Sequence, residues 1–158
     1  MSQSDVRIRD VEDGDLEVFF EHQLDPKATQ MAAFPARERD PFMAHWAKIR
    51  ADPAAFTQTI VADGHVAGNL VSWEQSAKRA VGYWLGRRHW GRGIATKALA
   101  LFLDHVRLRP LYAYVAVHNV GSIRVLEKCG FRRVTAQQVQ PSTANADEVD
   151  EVVLILEA

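Results

Sequence analysis

Hydrophobic and polar positions alternate in different periods along the chain, and the first half predicts one strand and two helices. Val6-Arg7-Ile8-Arg9 alternates like a short strand. Residues 16–24 carry apolar side chains at helical spacing behind an acidic start at residues 10–15. The stretch 25–39 has two prolines and little periodicity, which predicts a surface segment. Asp40-Pro41 then predicts the start of a second helix. The inner face of that helix carries Phe42, His45, Trp46 and Ile49.

The middle of the chain predicts an antiparallel meander. Two strand-like runs, Phe56 to Ala62 and His65 to Glu74, flank Asp63-Gly64, which is a strong hairpin signal. A third run, Ala80 to Leu85, follows a short polar turn. Three consecutive strands joined by such short turns favour antiparallel pairing.

After residue 85 the hydrophobic pattern changes to that of a strand–helix–strand crossover unit. Apolar residues between Ile94 and Val106 recur at intervals of three and four, as in an amphipathic helix. Leu111 to Val117 is apolar on both alternating sets, as in a strand covered on both faces. Strand, helix and buried strand together predict a right-handed βαβ unit with two parallel strands.

The last third predicts one more helix and a strand pair. Asn119 is placed to cap a helix that Gly130 would end in a left-handed conformation. Val134 to Val139 and Val149 to Leu156 predict the final strands. The expected fold is α/β (α+β): one domain over residues 1–158, with a mixed, mostly antiparallel sheet of six or seven strands and about four helices.

Composition narrows the class of protein. With 158 residues, 47% of them hydrophobic and 25% charged, the chain has the size and composition of one globular domain. No apolar run approaches 18 residues, and the N-terminus lacks the segments of a signal peptide, so we expect a cytoplasmic protein with no membrane partner. Cys129 is the one cysteine, which excludes an intramolecular disulfide, and the six histidines show no metal-ligand spacing. We therefore expect no metal.

The charge is nearly balanced overall but uneven along the chain. The formal net charge is −1, yet the stretch between Glu74 and Asp104 carries six basic residues and no acid. A local basic stretch on a neutral protein favours a small polyanion over nucleic acid, which calls for a wide basic face. A solvated charge run is the alternative. Arg87, Arg88 and Arg92 favour the ligand, because they surround two glycines at a predicted strand-to-helix junction.

That junction has the chemistry of a diphosphate site. Gly91 and Gly93 allow the backbone to approach a ligand closely. The helix that follows directs unpaired N–H groups and its positive dipole end at the loop. A tight turn that needs glycine for its own geometry is the alternative. The segment lacks the Gly-Lys-Ser/Thr of a P-loop, and Thr96 stands where a dinucleotide-binding loop would have its third glycine.

The motifs around this loop resemble those of a known family. Gly82-Tyr83-Trp84-Leu85-Gly86, Trp90-Gly91-Arg92-Gly93-Ile94-Ala95, Asn119-Val120-Gly121-Ser122 and Glu127-Lys128-Cys129-Gly130-Phe131 are similar to those of the GCN5-related N-acetyltransferases. They resemble in particular the branch that acetylates the N-termini of ribosomal proteins. The resemblance implies an α/β fold of the order predicted above and acetyl-CoA as cosubstrate.

The family's loop pattern, Gln/Arg-x-x-Gly-x-Gly/Ala, fits the sequence in two registers. Arg88-x-x-Gly91-x-Gly93 matches literally, whereas Trp90-x-x-Gly93-x-Ala95 places the loop at the helix start and is the register we prefer. The resemblance then implies that Arg92 to Thr96 surround the diphosphate and that Asn119 holds the pantetheine. The residues expected to bind the cofactor are Leu85, Gly86, Arg87, Trp90, Gly91, Arg92, Gly93, Ile94, Ala95, Thr96, Asn119 and Ser122.

Acetyl transfer from a thioester to an amine sets three demands. A base must take the amine proton, and we predict Glu74, with His118 or water as alternatives. A donor must stabilise the carbonyl oxygen, and we predict the Leu85 backbone N–H. A donor must serve the departing thiolate; relatives often place a tyrosine where this chain has Leu126, and the ribosomal-protein branch suggests Ser122 instead. The plainer readings are a strand-end carboxylate paired with Lys78 or Arg79, and helix capping by Asn119 and Ser122.

The sequence therefore predicts an acetyl-CoA-dependent N-acetyltransferase that acts on a primary amine by direct transfer. The acceptor is a protein N-terminus or a small-molecule amine, and a homodimer stays open. Two alternatives remain: a non-catalytic module that senses CoA or acyl-CoA, and a nucleotide-binding regulatory domain. Cys129 is expected in the core rather than as a nucleophile. The acceptor side is expected to be lined by Met31, Phe34, Phe42 and Trp46.

Overall fold

The computed structural model describes residues 5–134 and 151–157. These residues form seven strands and five α-helices. In chain order the elements are β1 (Val6–Arg9), α1 (Asp15–Gln23), α2 (Pro26–Ala32), α3 (Arg39–Ala51), β2 (Phe56–Ala62), β3 (His65–Gln75), β4 (Lys78–Leu85), α4 (Ile94–His105), β5 (Leu111–Ala116), α5 (Val120–Lys128), β6 (Arg132–Val134) and β7 (Glu151–Leu156). A single 3₁₀ turn, Arg87–His89, lies between β4 and α4.

The strands form one sheet in the order β1-β2-β3-β4-β5-β7-β6. Each neighbouring pair is antiparallel except β4 and β5, which are parallel. The helix between those two strands is α4, so β4, α4 and β5 form the predicted crossover unit. The predicted hairpin is also present, because Asp63 and Gly64 both have positive φ, 52° and 82°, as a two-residue turn between β2 and β3 requires.

Helices cover both faces of the sheet, and each face has its own core. On one face α4 and α5 pack against the central strands, and Leu70 and Val81 contribute to this larger core. On the other face the aromatic side chains of α1 and α3 form a smaller core against β3. The buried residues of the smaller core are Val11, Phe19, Phe20, Phe42 and Trp46.

The mixed, mostly antiparallel seven-stranded sheet confirms the predicted fold class. Two predictions on the first half were wrong. The stretch 25–39 contains α2, which begins at Pro26 after Asp25 caps it: the Asp25 carboxylate accepts the N–H of Lys27 at 2.9 Å. Helix α3 begins at Arg39, with Glu38 at its N-cap, rather than after Asp40. For the final strand pair, residues 135–150 lie outside the described residues.

Candidate functional site

The two parallel strands separate along their length and open a gap in the sheet. β4 and β5 pair only through Arg79 with Leu111 and Ala80 with Tyr112, although β4 continues to Leu85. A cavity of about 340 Å³ lies at this opening. The residues that line it are Ala28, Met31, Ala32, Tyr83, Trp84, Leu85, Trp90, Gly91, Ala95, His118, Asn119, Val120, Gly121, Ser122 and Val125.

The end of β4 directs backbone donors at this gap. The Gly86 N–H donates to the Ala67 carbonyl at 2.8 Å, so residue 86 is hydrogen-bonded to β3. Hydrogen bonds of an antiparallel pair alternate along each strand, and the N–H groups of Tyr83 and Leu85 therefore point away from β3, toward the side of β5. The Leu85 carbonyl accepts the indole N–H of Trp90 at 2.9 Å, which ties the loop to the strand. The Leu85 N–H thus has the orientation that an oxyanion donor needs.

The glycine loop ends at the N-terminus of α4, beside the same cavity. Gly91 and Gly93 have φ values of 74° and 76°, which favour glycine, and, apart from the adjoining residues, no atom of residues 5–134 and 151–157 lies within 4 Å of the Cβ position of either residue. Gly93 is the N-cap, and the Lys97 N–H donates to its carbonyl at 3.2 Å. The N–H groups of the first three helical residues, 94–96, therefore have no carbonyl within the helix. Because Gly91 and Ala95 line the cavity, this positive helix end opens on it.

The arginines of the loop form ion pairs with neighbouring segments. Arg92 contacts Asp63 of the β2–β3 hairpin at 2.9 Å, and Arg87 contacts Asp25 at the start of α2 at 3.5 Å. Both pairs are partly exposed to solvent, where ion pairs contribute little to stability. The expected contacts of Arg87 and Arg92 with a diphosphate stay predictions, and each would compete with a carboxylate already present.

The loop after β5 brings three polar side chains to the cavity. The Asn119 side chain accepts the Ser122 N–H at 3.3 Å and so caps α5. The Ser122 hydroxyl accepts a hydrogen bond from the Tyr83 hydroxyl at 3.2 Å. His118 Nε2 lies 2.9 Å from the Gln30 carbonyl oxygen of α2. Since a carbonyl oxygen only accepts, Nε2 carries the proton and the Nδ1 atom of a neutral His118 is a proton acceptor.

Glu74 does not lie among the described residues that line the cavity. It stands opposite Arg79 in the β3–β4 register, near the β3–β4 turn, and its carboxylate is 3.5 Å from the Arg79 guanidinium. Its side chain is 67% exposed. Among the described residues no aromatic wall encloses it, because Trp73 projects to the other face of β3 and Trp84 stands opposite Asn69. Its assignment as base stays a prediction that lacks the geometry it needs.

Two side chains near the site have structural surroundings. Leu126, where relatives often have tyrosine, is buried in the larger core. The Cys129 thiol lies 3.6 Å from the Thr96 carbonyl oxygen, and burial raises its pKa, which keeps it protonated at neutral pH. In residues 5–134 and 151–157, no group of three or more His, Cys, Asp or Glu side chains is placed to hold a metal ion. No helix in those residues has the length and apolar character to cross a membrane.

Sequence reasoning missed the role of α2 and of Tyr83 in this site. Of the four residues expected on the acceptor side, Met31 lines the cavity, whereas Phe42 and Trp46 belong to the smaller core. The apolar residues of α2 form one wall of the cavity, and the Asp25-Pro26 pair is the signal that could have located this helix. No local signal pairs Tyr83 with Ser122, which lies 39 positions further along the chain.

Comparison with known proteins identifies the family. The model of the acetyltransferase (GNAT) domain matches residues 5–132, and the chain belongs to this family. A stretch of 57 residues is 42% identical to the probable N-acetyltransferase YjcK of Bacillus subtilis. That stretch covers 34% of this chain and about a third, 32%, of the length of YjcK.

Solved structures share the fold over nearly the whole chain. Spermidine N-acetyltransferase from Vibrio cholerae, in complex with CoA and spermine, is 20% identical, has a TM-score of 0.79, and matches over 96% of this chain and 95% of that one. Mycobacterium smegmatis RimJ, in complex with a CoA-disulfide, is 24% identical, has a TM-score of 0.75, and matches over 97% and 82%. At these identities the likeness establishes the fold.

Proposed function

We propose that the protein is an acetyl-CoA-dependent N-acetyltransferase that moves an acetyl group directly to a primary amine. One observation carries the proposal. A single cavity adjoins both the N-terminus of α4 and the gap between β4 and β5. A long ligand with a diphosphate at one end and a thioester at the other would satisfy both ends. The CoA complexes of the Vibrio cholerae and Mycobacterium smegmatis proteins support this choice of cosubstrate.

The diphosphate would be held by main-chain groups. The N–H groups of residues 94–96 and the positive end of the α4 dipole favour an anion at that position. Gly91 and Gly93 leave space beside them, since no other atom lies near the Cβ position of either residue. The polar side chain of Asn119, on the far side of the cavity, would meet the pantetheine amides.

The reacting groups would meet at the gap in the sheet. The amine nitrogen attacks the thioester carbon, and the Leu85 N–H donates to the oxygen as it becomes negative. One such preorganised donor is worth roughly 10²–10³ in rate. The C–S bond then breaks, its electron pair stays on sulfur, and the Ser122 hydroxyl is the nearby donor. His118, directly or through water, takes the amine proton at Nδ1.

The acceptor is a primary amine on either a peptide N-terminus or a small molecule. The wall that α2 contributes is apolar, with Ala28, Met31 and Ala32, and no acidic side chain stands among the described lining residues. A polyamine would need acidic partners for its further charges. This favours an amine next to a small uncharged group, as at a peptide N-terminus.

The proposal is tested first by coenzyme A binding, measured calorimetrically on the wild type and on two variants of matched shape. Asn and Asp adopt the left-handed conformation more readily than other residues with a side chain, so Gly93→Asn and Gly93→Asp carry similar strain at this N-cap. Only the second places a negative charge where the diphosphate should lie. We expect Gly93→Asp to weaken CoA binding at least about tenfold relative to Gly93→Asn, or ~1.4 kcal/mol, while the two variants have the same thermal stability. Equal affinities would refute the placement of the diphosphate.

Turnover is tested next, by thiol release from acetyl-CoA over a panel of peptide N-termini, polyamines and simple amines. We expect peptides that begin with a small uncharged residue to react fastest. Binding of acetyl-CoA without turnover on any member of the panel would favour the sensor module over the enzyme. Stabilisation by ATP but not by CoA would favour the nucleotide-binding domain.

A further inference from the structure

Tyr83 connects β4 to α5 across the opening of the sheet. It lies on the same face of β4 as Val81 and Leu85, and its side chain lines the cavity. Its hydroxyl donates to the Ser122 hydroxyl oxygen at 3.2 Å. The interaction therefore lies within the site and joins the two elements on either side of it.

With the Tyr83 hydroxyl as donor, this hydrogen bond restricts the directions open to the serine proton. A serine hydroxyl has one proton and two acceptor positions, and Tyr83 occupies one of the acceptor positions. The proton of Ser122 must then point elsewhere. Within residues 5–134 and 151–157, no protein group accepts it, and Ser122 lines the cavity. The remaining direction is into the cavity.

The phenol is suited to this role at neutral pH. Burial raises the pKa of Tyr83, and the hydrogen bond to Ser122 offsets this only in part. The hydroxyl therefore stays protonated and has a proton to donate to Ser122. Leu126, which occupies the position of the tyrosine in many relatives, has no hydroxyl to offer, so any phenol at this site must come from another element.

We propose that Tyr83 is a positioning residue for the leaving-group step: its hydroxyl orients Ser122 so that the serine proton points at the sulfur of the departing coenzyme A. This inference rests on the proposed function. Neither Tyr83 nor Ser122 gives up its proton in this step. The N–C bond forms, the C–S bond breaks with its electrons on sulfur, and the amine proton goes to the base, while Ser122 donates a hydrogen bond to the thiolate.

The test measures the thiolate directly and needs no amine acceptor. Coenzyme A is bound to the wild type, Tyr83→Phe, Ser122→Ala and the double variant, and the thiol is titrated through the ultraviolet absorbance of its thiolate. The same protein with desulfo-CoA supplies the reference spectrum and removes the signal of Cys129 and the tyrosines. Tyr112→Phe, a tyrosine whose ring contacts Lys78, is the matched control.

We expect Tyr83→Phe and Ser122→Ala each to raise the apparent pKa of the bound thiol by about 1, because a hydrogen bond to the charged form is lost. The double variant should match Ser122→Ala alone, and Tyr112→Phe should match the wild type. In turnover, Tyr83→Phe should lower kcat about tenfold with little change in KM for acetyl-CoA. A merely structural tyrosine would change stability or CoA affinity and leave the thiol pKa alone.

The outcomes separate the inference from the proposed function. If CoA binds and its thiol titrates alike in the wild type, Tyr83→Phe and Ser122→Ala, the inference is overturned and the proposed function stands. If the effects of Tyr83→Phe and Ser122→Ala add in the double variant, the two hydroxyls act separately and the inference is overturned too. If the wild type binds no CoA, the proposed function fails and the inference fails with it. Should Tyr83→Phe not fold, an unchanged thiol pKa in Ser122→Ala overturns the inference, because Ser122 is then not the donor to the sulfur.

Discussion

Because Gly86 has no side chain, α1 can pack close to the end of β4. A Cβ at this position would lie 2.6 Å from Nε2 and 2.8 Å from Cδ2 of His22, a helix residue that packs against the strand end. Gly86→Ala should therefore cost about 1–3 kcal/mol in the free energy of unfolding, as other overpacked sites do. Urea denaturation of Gly86→Ala, His22→Ala and the double variant measures the coupling. Equal costs of Gly86→Ala in both backgrounds would show that His22 is not the obstacle.

Two residues compete for the role of base, and matched substitutions separate them. His118→Gln keeps an amide N–H near the Gln30 carbonyl but removes the imidazole, and Glu74→Gln removes only a charge. Because His118 lines the cavity and Glu74 pairs with Arg79, we expect His118→Gln to lower kcat/KM at pH 7 at least about tenfold. Glu74→Gln should stay within about twofold of the wild type. The reverse order, at unchanged thermal stability of both variants, would return the role to Glu74.

Residues with a local role could be predicted from the sequence, and those with a distant partner could not. The capping of α5 by Asn119 and the left-handed backbone of Gly93 each depend on a few neighbouring positions. The surroundings of Glu74 depend on which residue of β4 stands opposite, and the cross-strand pairing put Arg79 there. The sequence allows that ion pair as one alternative, but the cross-strand register that selects it does not follow from neighbouring residues.

Helix α2 depends on a short-range signal that carries no periodicity. It has seven residues and buries only Ala28, so the apolar pattern that predicts longer helices is absent. Its start is nonetheless encoded, since Asp25 caps the Lys27 N–H and Pro26 occupies the first turn. The same signal, a capping residue followed by proline, predicted the wrong start for α3. Asp40 and Pro41 lie within the first turn of that helix, after an N-cap at Glu38.

Because α2 forms one wall of the cavity, its cap should affect both stability and the acceptor. Asp25→Ala removes the cap and the contact with Arg87, whereas Asp25→Asn keeps an oxygen for the cap. We expect Asp25→Ala to cost about 1 kcal/mol of unfolding free energy and Asp25→Asn only a few tenths. The KM for the amine should rise in Asp25→Ala and stay near the wild-type value in Asp25→Asn. An equal change in both variants would assign the effect to the charge on Asp25.

At the scale of the whole molecule, the cavity exists because β4 and β5 pair over only two residue pairs and then diverge. Sequence patterns predicted β4, α4 and β5 and their parallel order, since each element and its connection are local. The length over which β4 and β5 remain paired is set by residues far apart in sequence: α2 packs at β5, and Tyr83 bridges to α5. The loop at α4 could therefore be located from the sequence, whereas the cavity beside it could not.

Groups whose pKa the fold lowers, above all His22 and Asp15, should make the protein sensitive to acid in successive pH ranges. Burial, and the nearby charges of His89 and Arg88, lower the pKa of His22 to about 4. Burial would raise the pKa of Asp15, but hydrogen bonds from Arg9, the Glu12 N–H and Thr59 outweigh it and lower that pKa. In both cases the unfolded chain binds protons at a higher pH than the folded protein does, so protonation favours unfolding.

The free energy of unfolding should therefore fall as the pH drops from about 6.5 to about 4, where only the unfolded chain protonates residue 22. It should fall again below about pH 4, as the pKa of Asp15 is approached and its bonds to Arg9 and Thr59 are lost.

Urea titrations between pH 7 and pH 3 measure the profile. His22→Gln should reduce the first fall and keep the second, because glutamine has no proton to bind in this range; burial also lowers the pKa of His89 and His45, which account for the remainder. Asp15→Asn should lower stability at pH 7 and flatten the second fall alone. Parallel profiles of His22→Gln and the wild type between pH 6.5 and pH 4 would mean that another group controls acid unfolding there.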